Sequence, residues 1–368
     1  LRPRCYPRGD ESLMEAAARE AIAVRAGVGL CDVSTLGKIE IFGADARSFL
    51  NRVYVNAWSK LAPMKARYGL MLREDGVALD DGTTTCLADD HFLMSTTTAN
   101  AAKVLQHLEF LHQTAWPDLD VAFCSATEQW CALALAGPRS REVLGLVLDG
   151  ADVSNDALPF MGVAEATAGG APVRVFRISF SGELAYELAC PWGYGEALWE
   201  RILTAGAAFD LTPYGTEALS ILRIEKGHPA GQELDGRTTA GDLGMGRMVS
   251  TKKRCVGQAL AERPGLADPE RPSLVGLVPV EEDRQLRGGA HLVEDPAEAR
   301  TETDLGWTSS VHWSPHVGAW IALAFLRGGL ERWRDRRLWA IYPLKDEAVE
   351  VAVRAPCFVD PEGARLRG

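Results

Sequence analysis

The chain has 368 residues, 47% hydrophobic and 24% charged, with net charge −11 and a pI near 5.2, an ordinary globular composition with room for two or three packed units. No basic run stands out, so nucleic acid is not an expected partner, and an anionic ligand would need a local positive pocket. No apolar stretch reaches the roughly 18 residues of a membrane helix, no secretory signal is present, and the eight cysteines lack metal-type spacing, so they read as buried free thiols of a cytoplasmic protein.

Residues 11–26 place Leu13, Ala17, Ala21 and Val24 at helical spacing, and Gly27 supplies a stop. Gly37–Phe42 alternates Ile39 and Ile41 as a half-buried strand, and Gly43-Ala44-Asp45 leads into a helix over Ala46–Val53. The stretch from Tyr68 to Asn100 carries the most information. Tyr68–Leu72 is a strand ending at Arg73-Glu74-Asp75-Gly76, where Asp-Gly is the strongest short hairpin signal. The chain returns through Val77-Ala78-Leu79 into Asp80-Asp81, passes Thr83–Cys86, turns at Asp89-Asp90 and re-enters as Phe92–Ser95. Successive strand side chains point to opposite faces, so only one of Asp80 and Asp81 can look inward. A carboxylate in an apolar wall has a raised pKa or a bound partner, and either suits proton handling; the bland alternative is a solvated turn acid.

A helix over Ala101–His112 follows, then an apolar strand at Trp130–Ala136, ended by Gly137-Pro138. Pro138 fits the first turn of the next helix, Arg139–Leu148. Val173–Phe180 reads as a strand, Ser181-Gly182-Glu183 as a turn and Ala185–Leu188 as the returning strand. Glu187 lies there between Tyr186 and Leu188. A buried glutamate suits a ligand edge with paired N–H donors, such as the amino-pyrimidinone edge of a pterin; equally, it suits a structural pair with an arginine such as Arg177. Helices at Tyr194–Leu203 and Ala218–Glu225 complete an α+β pattern with largely antiparallel sheets.

Residues 261–272 hold three prolines among charges and form the best linker candidate between a first domain at 1–260 and a second at 273–368. Beyond the linker come short strands only: Leu274–Val280, Gly306–Ser310, Trp320–Ala324, Leu338–Tyr342 and Val349–Val353. They predict a small β-barrel or sandwich. Gly244-Met245-Gly246 lacks the third glycine and preceding strand of a dinucleotide fingerprint and reads as a tight turn. Pro315 between His312 and His316 prevents a helical metal pair, leaving solvated loop histidines.

Several segments together carry a resemblance. Asp32-Val33-Ser34 with Gly37-Lys38-Ile39, then GVALDD, LALAGPRSREVL, SFSGELAYEL, LRIEKGHPAGQELD and WTSSVHWSPHVGAWIALAFL, resemble the aminomethyltransferase (glycine-cleavage T-protein) family in order over nearly the whole chain. NAWSKLAPMKARYGLML, FLMSTTT, TEQWCALALAGPRSR and TPYGTE are similar to a narrower group, the aminomethyltransferase-like half of the α subunits of heterotetrameric sarcosine oxidases. There a dinucleotide-binding half comes first; its absence here, with Leu1 in place of Met, fits a piece of a longer subunit.

The resemblance implies three subdomains arranged like a ring around a tetrahydrofolate pocket, with the β-barrel at the C-terminal end. It implies capture of the one-carbon unit from sarcosine oxidation as 5,10-methylenetetrahydrofolate. By motif match the essential aspartate falls on Asp81, the pterin-reading glutamate on Glu187 and a pterin-lining position on Tyr68. Ser95, Thr96 and Thr97 match the strand whose backbone flanks the cofactor. Flavin and NAD are implied on other domains or subunits, with a flavin-bearing β subunit as partner. One departure stands out: an arginine expected ahead of Leu222-Arg223-Ile224-Glu225-Lys226-Gly227 is Leu219 here, so another cation must serve or folate binds more weakly. A free-standing aminomethyltransferase acting with a lipoyl carrier and a non-catalytic folate scaffold are the competing expectations.

Overall fold

The computed structural model describes residues 2–368. Ser12 opens helix α1 (Leu13–Ala26) with a reciprocal capping box to Glu15. Strands β1 (Gly29–Asp32) and β2 (Gly37–Phe42) follow, then helix α2 (Ala46–Val53). The acid-rich stretch becomes three antiparallel strands: β3 (Lys65–Leu72), β4 (Ala78–Ala88) and β5 (His91–Thr96). Helix α3 (Ala101–Thr114) and strands β6 (Ala122–Ser125) and β7 (Trp130–Ala136) come next. Helix α4 (Ser140–Val147) leads to β8 (Val163–Ala168), β9 (Ala171–Phe176) and β10 (Ala185–Pro191). Helix α5 (Gly195–Gly206), the short β11 (Thr212–Pro213) and helix α6 (Thr216–Lys226) end the first part.

These elements build two sheets whose strands interleave along the chain. One has the order β11-β1-β7-β10-β9-β8 and the other β3-β4-β5-β2-β6. The chain starts in the first sheet, crosses to the second for β2–β6, and returns for β7–β11, so the second sheet is inserted between β1 and the rest of the first. Beyond them β12 (Pro272–Pro279), β13 (His291–Val293), β14 (Gly306–Ser314), β15 (Ala319–Arg327), β16 (Arg337–Tyr342) and β17 (Glu347–Arg354) close into a barrel. The α+β reading and the C-terminal barrel are therefore what the chain forms, and closure of the barrel leaves no exposed edge to pair wrongly.

Period-two alternation decides what each sheet buries. On the second sheet Ile39, Ile41, Met71, Cys86, Phe92 and Met94 face α2 and α3 and make one core. On the first, Leu133, Leu135, Val175, Tyr186 and Leu188 face α4 and α5 and make another. The opposite faces of the two sheets turn toward each other. Part of the first sheet's inner face is covered by α1 and α6, through Ala21, Val24, Ala218 and Ile221 against Cys31, Ala132 and Ala185. The barrel closes the third side, with Ile321, Leu323 and Phe325 against Leu70 and Leu72 of β3.

Three local expectations need correction. Val173–Phe180 is not one strand: β9 stops at Phe176, and residues 177–184 form a longer connection because Arg177 turns inward to donate to the Leu158 carbonyl. His312 and His316 are not solvated loop residues. His312 is in β14 beside Glu217, and His316 sits in the next turn, its Nδ1 2.9 Å from Glu225 Oε1, because β14 runs on to Ser314 and packs on α6. The cysteines are all free, but only Cys31, Cys86, Cys131 and Cys190 are buried; Cys124 is exposed on the edge strand β6. Strands β1, β6 and β13 are too short to show an alternation in the sequence, and β8 went unread although Glu165-Ala166-Thr167-Ala168 alternates.

The units are locked by a buried ionic network. Arg25 of α1 contacts Glu183 and Glu225, each at 2.7 Å, and all three side chains are almost wholly buried. Glu225 of α6 also accepts from Ser314 Oγ at 2.6 Å, reaching the barrel. Two residues of one turn away, Arg223 contacts Glu233 at 2.9 Å and donates to Ser310 Oγ at 2.6 Å. Breaking a buried pair leaves an uncompensated charge. Arg25→Met should therefore destabilise the protein by about 3–5 kcal/mol, read as a lower urea midpoint with both sheets and barrel unfolding together.

Candidate functional site

The inner faces of the two sheets enclose a cleft, and the alternation rule names its walls. From the second sheet come Lys38, Thr83, Thr85, Leu93 and Ser95; from the first come Trp130, Ala132, Phe176, Glu187 and Ala189, with Ile178 just beyond β9. At one end Leu93, Phe176, Ile178 and Ala189 pack into a small apolar cluster that holds the sheets together. Tyr68 and Asp81 extend the same second-sheet face in the other direction, since Tyr68 pairs with Thr83 and Leu70 with Asp81.

Glu187 stands opposite Ala134 on one side and Phe176 on the other. Neither apolar neighbour offers a hydrogen bond to its carboxylate. Burial lifts its pKa from 4.5 to about 7, and the nearby Lys38 charge is the one influence pulling it down. Arg177, the structural partner considered from the sequence, instead donates to the carbonyls of Leu158 and Arg367. Glu183 is equally committed elsewhere, to Arg25 and Arg365. Among the described residues no group hydrogen-bonds the Glu187 carboxylate.

Asp80 and Asp81 have different environments. Asp80 is fully buried behind the sheet, where it accepts from Thr97 N at 3.1 Å, Thr97 Oγ1 at 2.6 Å and Asn100 Nδ2 at 3.0 Å. It ties β4 to the start of α3 and is a structural residue, not a solvated turn acid. Asp81 points to the cleft side. Its Oδ2 accepts a 2.7 Å hydrogen bond from the Tyr68 hydroxyl. Burial raises its pKa to about 6; the Tyr68 bond opposes this and the Asp80 charge adds to it. The Tyr68 hydroxyl, held well above its ordinary pKa by burial and by Asp81, remains a donor. It also lies 3.7 Å from Met245 Sδ, in the turn read from Gly244-Met245-Gly246.

The Ser95–Thr97 segment divides its work. Ser95 lines the cleft, Thr97 clamps Asp80, and Thr96 is buried on the far side, packed against Gly37. Leu219, in the place of the expected arginine, is half-buried with Leu36 in the apolar cluster under α1 and α6. Sequence reasoning missed Lys38, Thr83, Thr85, Trp130 and Phe176. A signal for Lys38 existed, because it alternates with Ile39 and Ile41 and must face away from their core.

A cleft with one partnerless carboxylate, a second held by a phenol, and titration near neutrality in both can orient a ligand bearing paired N–H donors and move a proton on it. Among the described residues no group of three His, Cys, Asp or Glu side chains is placed to hold a metal ion, and no helix is long and apolar enough to cross a membrane.

Comparison with known proteins bears on family and fold. The family model for the GCVT N-terminal domain matches residues 1–253, and that for the glycine cleavage T-protein C-terminal barrel domain matches residues 273–360. The chain is 49% identical over 366 residues to the sarcosine oxidase subunit alpha of Rhizobium meliloti, covering 98% of this chain and 37% of that protein. It is 33% identical over 312 residues to the aminomethyltransferase of Streptomyces coelicolor, covering 83% of this chain and 80% of that protein. The crystal structure of the glycine cleavage system aminomethyltransferase T from Bartonella henselae shares the fold, with a TM-score of 0.80 at 24% identity over 94% of this chain and 90% of that one. The chain spans 37–38% of the length of the sarcosine oxidase relatives it matches.

An unpartnered buried carboxylate costs stability wherever it is ionised. Glu187 titrates at about 7 in the folded protein and 4.5 otherwise, so the folded state holds an extra proton between these values and bears the full cost above them. Glu187→Gln should stabilise the fold by about 1–3 kcal/mol at alkaline pH, with the gain vanishing once the pH falls below the ordinary glutamate range. Denaturant unfolding at the two extremes measures it, and equal effects at both would contradict the assignment.

Proposed function

The chain belongs to the glycine cleavage T-protein family, and from that membership we propose that it is the tetrahydrofolate-binding, one-carbon-transferring part of a sarcosine oxidase α subunit. In this reading it captures the one-carbon unit released by sarcosine oxidation as 5,10-methylenetetrahydrofolate. Flavin-dependent oxidation belongs to a partner β subunit, and NAD to another domain of the assembly.

The observation that carries the reading is the Glu187 carboxylate, with no hydrogen-bond partner among the described residues, in a cleft whose second-sheet wall continues along the same face to Asp81. A reduced pterin fits such a site, because its amino-pyrimidinone edge offers the paired N–H donors that a bidentate carboxylate accepts. Tetrahydrofolate, when bound, supplies the nitrogen nucleophiles that take up the one-carbon unit. Glu187 would hold and orient the pterin edge, with Phe176 and Trp130 as apolar walls. Asp81 has Oδ2 engaged by Tyr68, which leaves Oδ1 to accept or return a proton from a ligand nitrogen. With a pKa of about 6 it is mostly ionised at neutral pH yet close enough to exchange a proton readily. Its negative charge in a water-poor cleft would also stabilise a cationic one-carbon donor. Tyr68 serves as the donor that fixes Asp81, in addition to walling the cleft.

A free-standing aminomethyltransferase is the second reading, favoured by the near full-length match to the Streptomyces coelicolor aminomethyltransferase. The Leu219 departure weighs against it. Ammonia release from an aminomethyl-lipoyl carrier protein would support that reading over the first.

Asp81→Ala should fold and still bind tetrahydrofolate through Glu187, but lose one-carbon capture by about 10²–10⁴-fold, the usual range for a general acid–base group. Assayed in the assembled oxidase with sarcosine and tetrahydrofolate, free formaldehyde should then replace methylenetetrahydrofolate. An unchanged methylenetetrahydrofolate yield would reject the role.

A further inference from the structure

We infer that Lys38 is the counter-charge that holds Glu187 in its anionic, ligand-reading form, acting across the cleft as a positioning residue. The inference rests on the folate reading and adds a residue to it.

Lys38 and Glu187 line the same cleft from opposite sheets. The Lys38 side chain is almost wholly buried, a place an ammonium occupies only when something compensates its charge. Its Nζ donates to the carbonyls of Ser34 at 2.9 Å and Leu36 at 3.0 Å. Those two bonds fix the head group and leave one of its three N–H groups unspent. Pinned in this way, Lys38 does not close onto Glu187. Its field reaches the carboxylate while both carboxylate oxygens remain open to a ligand. A direct salt bridge would have consumed the acceptors that recognition needs.

Other groups around Glu187 cannot serve. Ser95 and Thr83 contribute neutral hydroxyls from the second sheet, and Ala134 and Phe176 flank it on its own sheet. Cys31 of β1 and Tyr214, between β11 and α6, are the remaining titratable neighbours, and burial pushes the Cys31 thiol up to about 12 and raises the Tyr214 phenol well above its usual value. Both are neutral where Glu187 titrates. Asp32 acts on Lys38, supporting its charge. Leu36, which lends its carbonyl to Lys38, packs in the same cluster as Leu219. The cation of this region therefore comes from β2, beside the α6 position where the resemblance placed an arginine.

Calorimetric titration of the purified protein with tetrahydrofolate between pH 5.5 and 9, under reducing conditions, tests this with pH values chosen to bracket the Glu187 midpoint of about 7. Wild-type affinity should fall about tenfold per pH unit on the acid side of that midpoint, as the carboxylate is neutralised. Lys38→Gln keeps a donor for the two carbonyls but drops the charge. It should move the fall-off up by about one pH unit or more, weakening binding about tenfold on the acid side and little at the alkaline end. Lys38→Arg should stay near wild type, and Glu187→Gln should flatten the profile. Should Lys38→Gln not fold, Lys38→Met keeps the stem without the charge and is read by the same criterion. An unshifted midpoint, or a loss equal at every pH, would overturn the inference while leaving folate binding intact. Failure of the wild type to bind at any pH would overturn the folate reading itself, and this inference with it.

Discussion

Two acids on the facing surfaces of two sheets set the terms for the rest of the molecule. Ionised carboxylates without partners are expensive to bury, and a protein tolerates them only where surrounding structure over-determines their positions. Here that structure is the pair of sheets with separate cores on their outer faces, one under α2 and α3 and one under α4 and α5. Because those cores lie outside, the inner faces are free to be polar. The cleft is the seam left when two sheets that each have a finished core are brought face to face.

The seam stays narrow because three contacts around it are independent. An apolar cluster holds the two sheets at one end, the barrel presses on β3, and the Arg25 network joins α1, α6 and the barrel. The interleaved path adds a topological constraint, since strands of the first sheet flank those of the second in sequence. Arg25, Glu183, Glu225, Arg223 and Glu233 are more deeply buried than Asp81 and Glu187, and they hold one another in ion pairs and hydrogen bonds. Full satisfaction by partners is what marks this set as a structural ionic network. Glu183 and Glu187 make the contrast within one hairpin. The first is spent on two arginines; the second faces alanine and phenylalanine.

Most of the architecture was legible because it rests on local periodicity. The Asp-Gly turn at Asp75-Gly76 forms as read, with Gly76 at φ +91° and its N–H donating to the Arg73 carbonyl. The strands that escaped notice are short or edge elements, such as β6 and β13, which pair without burying an alternating face. The longer path after Phe176 was invisible because it is set by Arg177 finding carbonyl partners far along the chain. The candidate site was legible in part. Glu187 and Asp81 stood out by motif, and Lys38 could have been added from alternation. The division of roles in Ser95–Thr97, and Tyr68 as a donor to Asp81, depend on register between strands, which no single strand encodes.

Register also explains why Asp81 rather than Asp80 faces the cleft. Leu72 pairs with Ala78, but Met71 pairs with Asp80, so Leu79 is an extra residue bulged out of the β3–β4 ladder. Without that bulge the pairing would run Met71 with Leu79 and Leu70 with Asp80, putting Asp80 on the Leu70 face. A one-residue slip inverts every side chain beyond it. The bulge therefore assigns the two adjacent acids their roles: one is turned outward to Thr97 and Asn100, where three hydrogen bonds satisfy it, and the other inward to a single phenol. Bulges recur beside active sites because they re-aim a side chain without disturbing the sheet around it. The sequence offers two acids of identical chemistry, and this bulge determines which of them faces the first sheet.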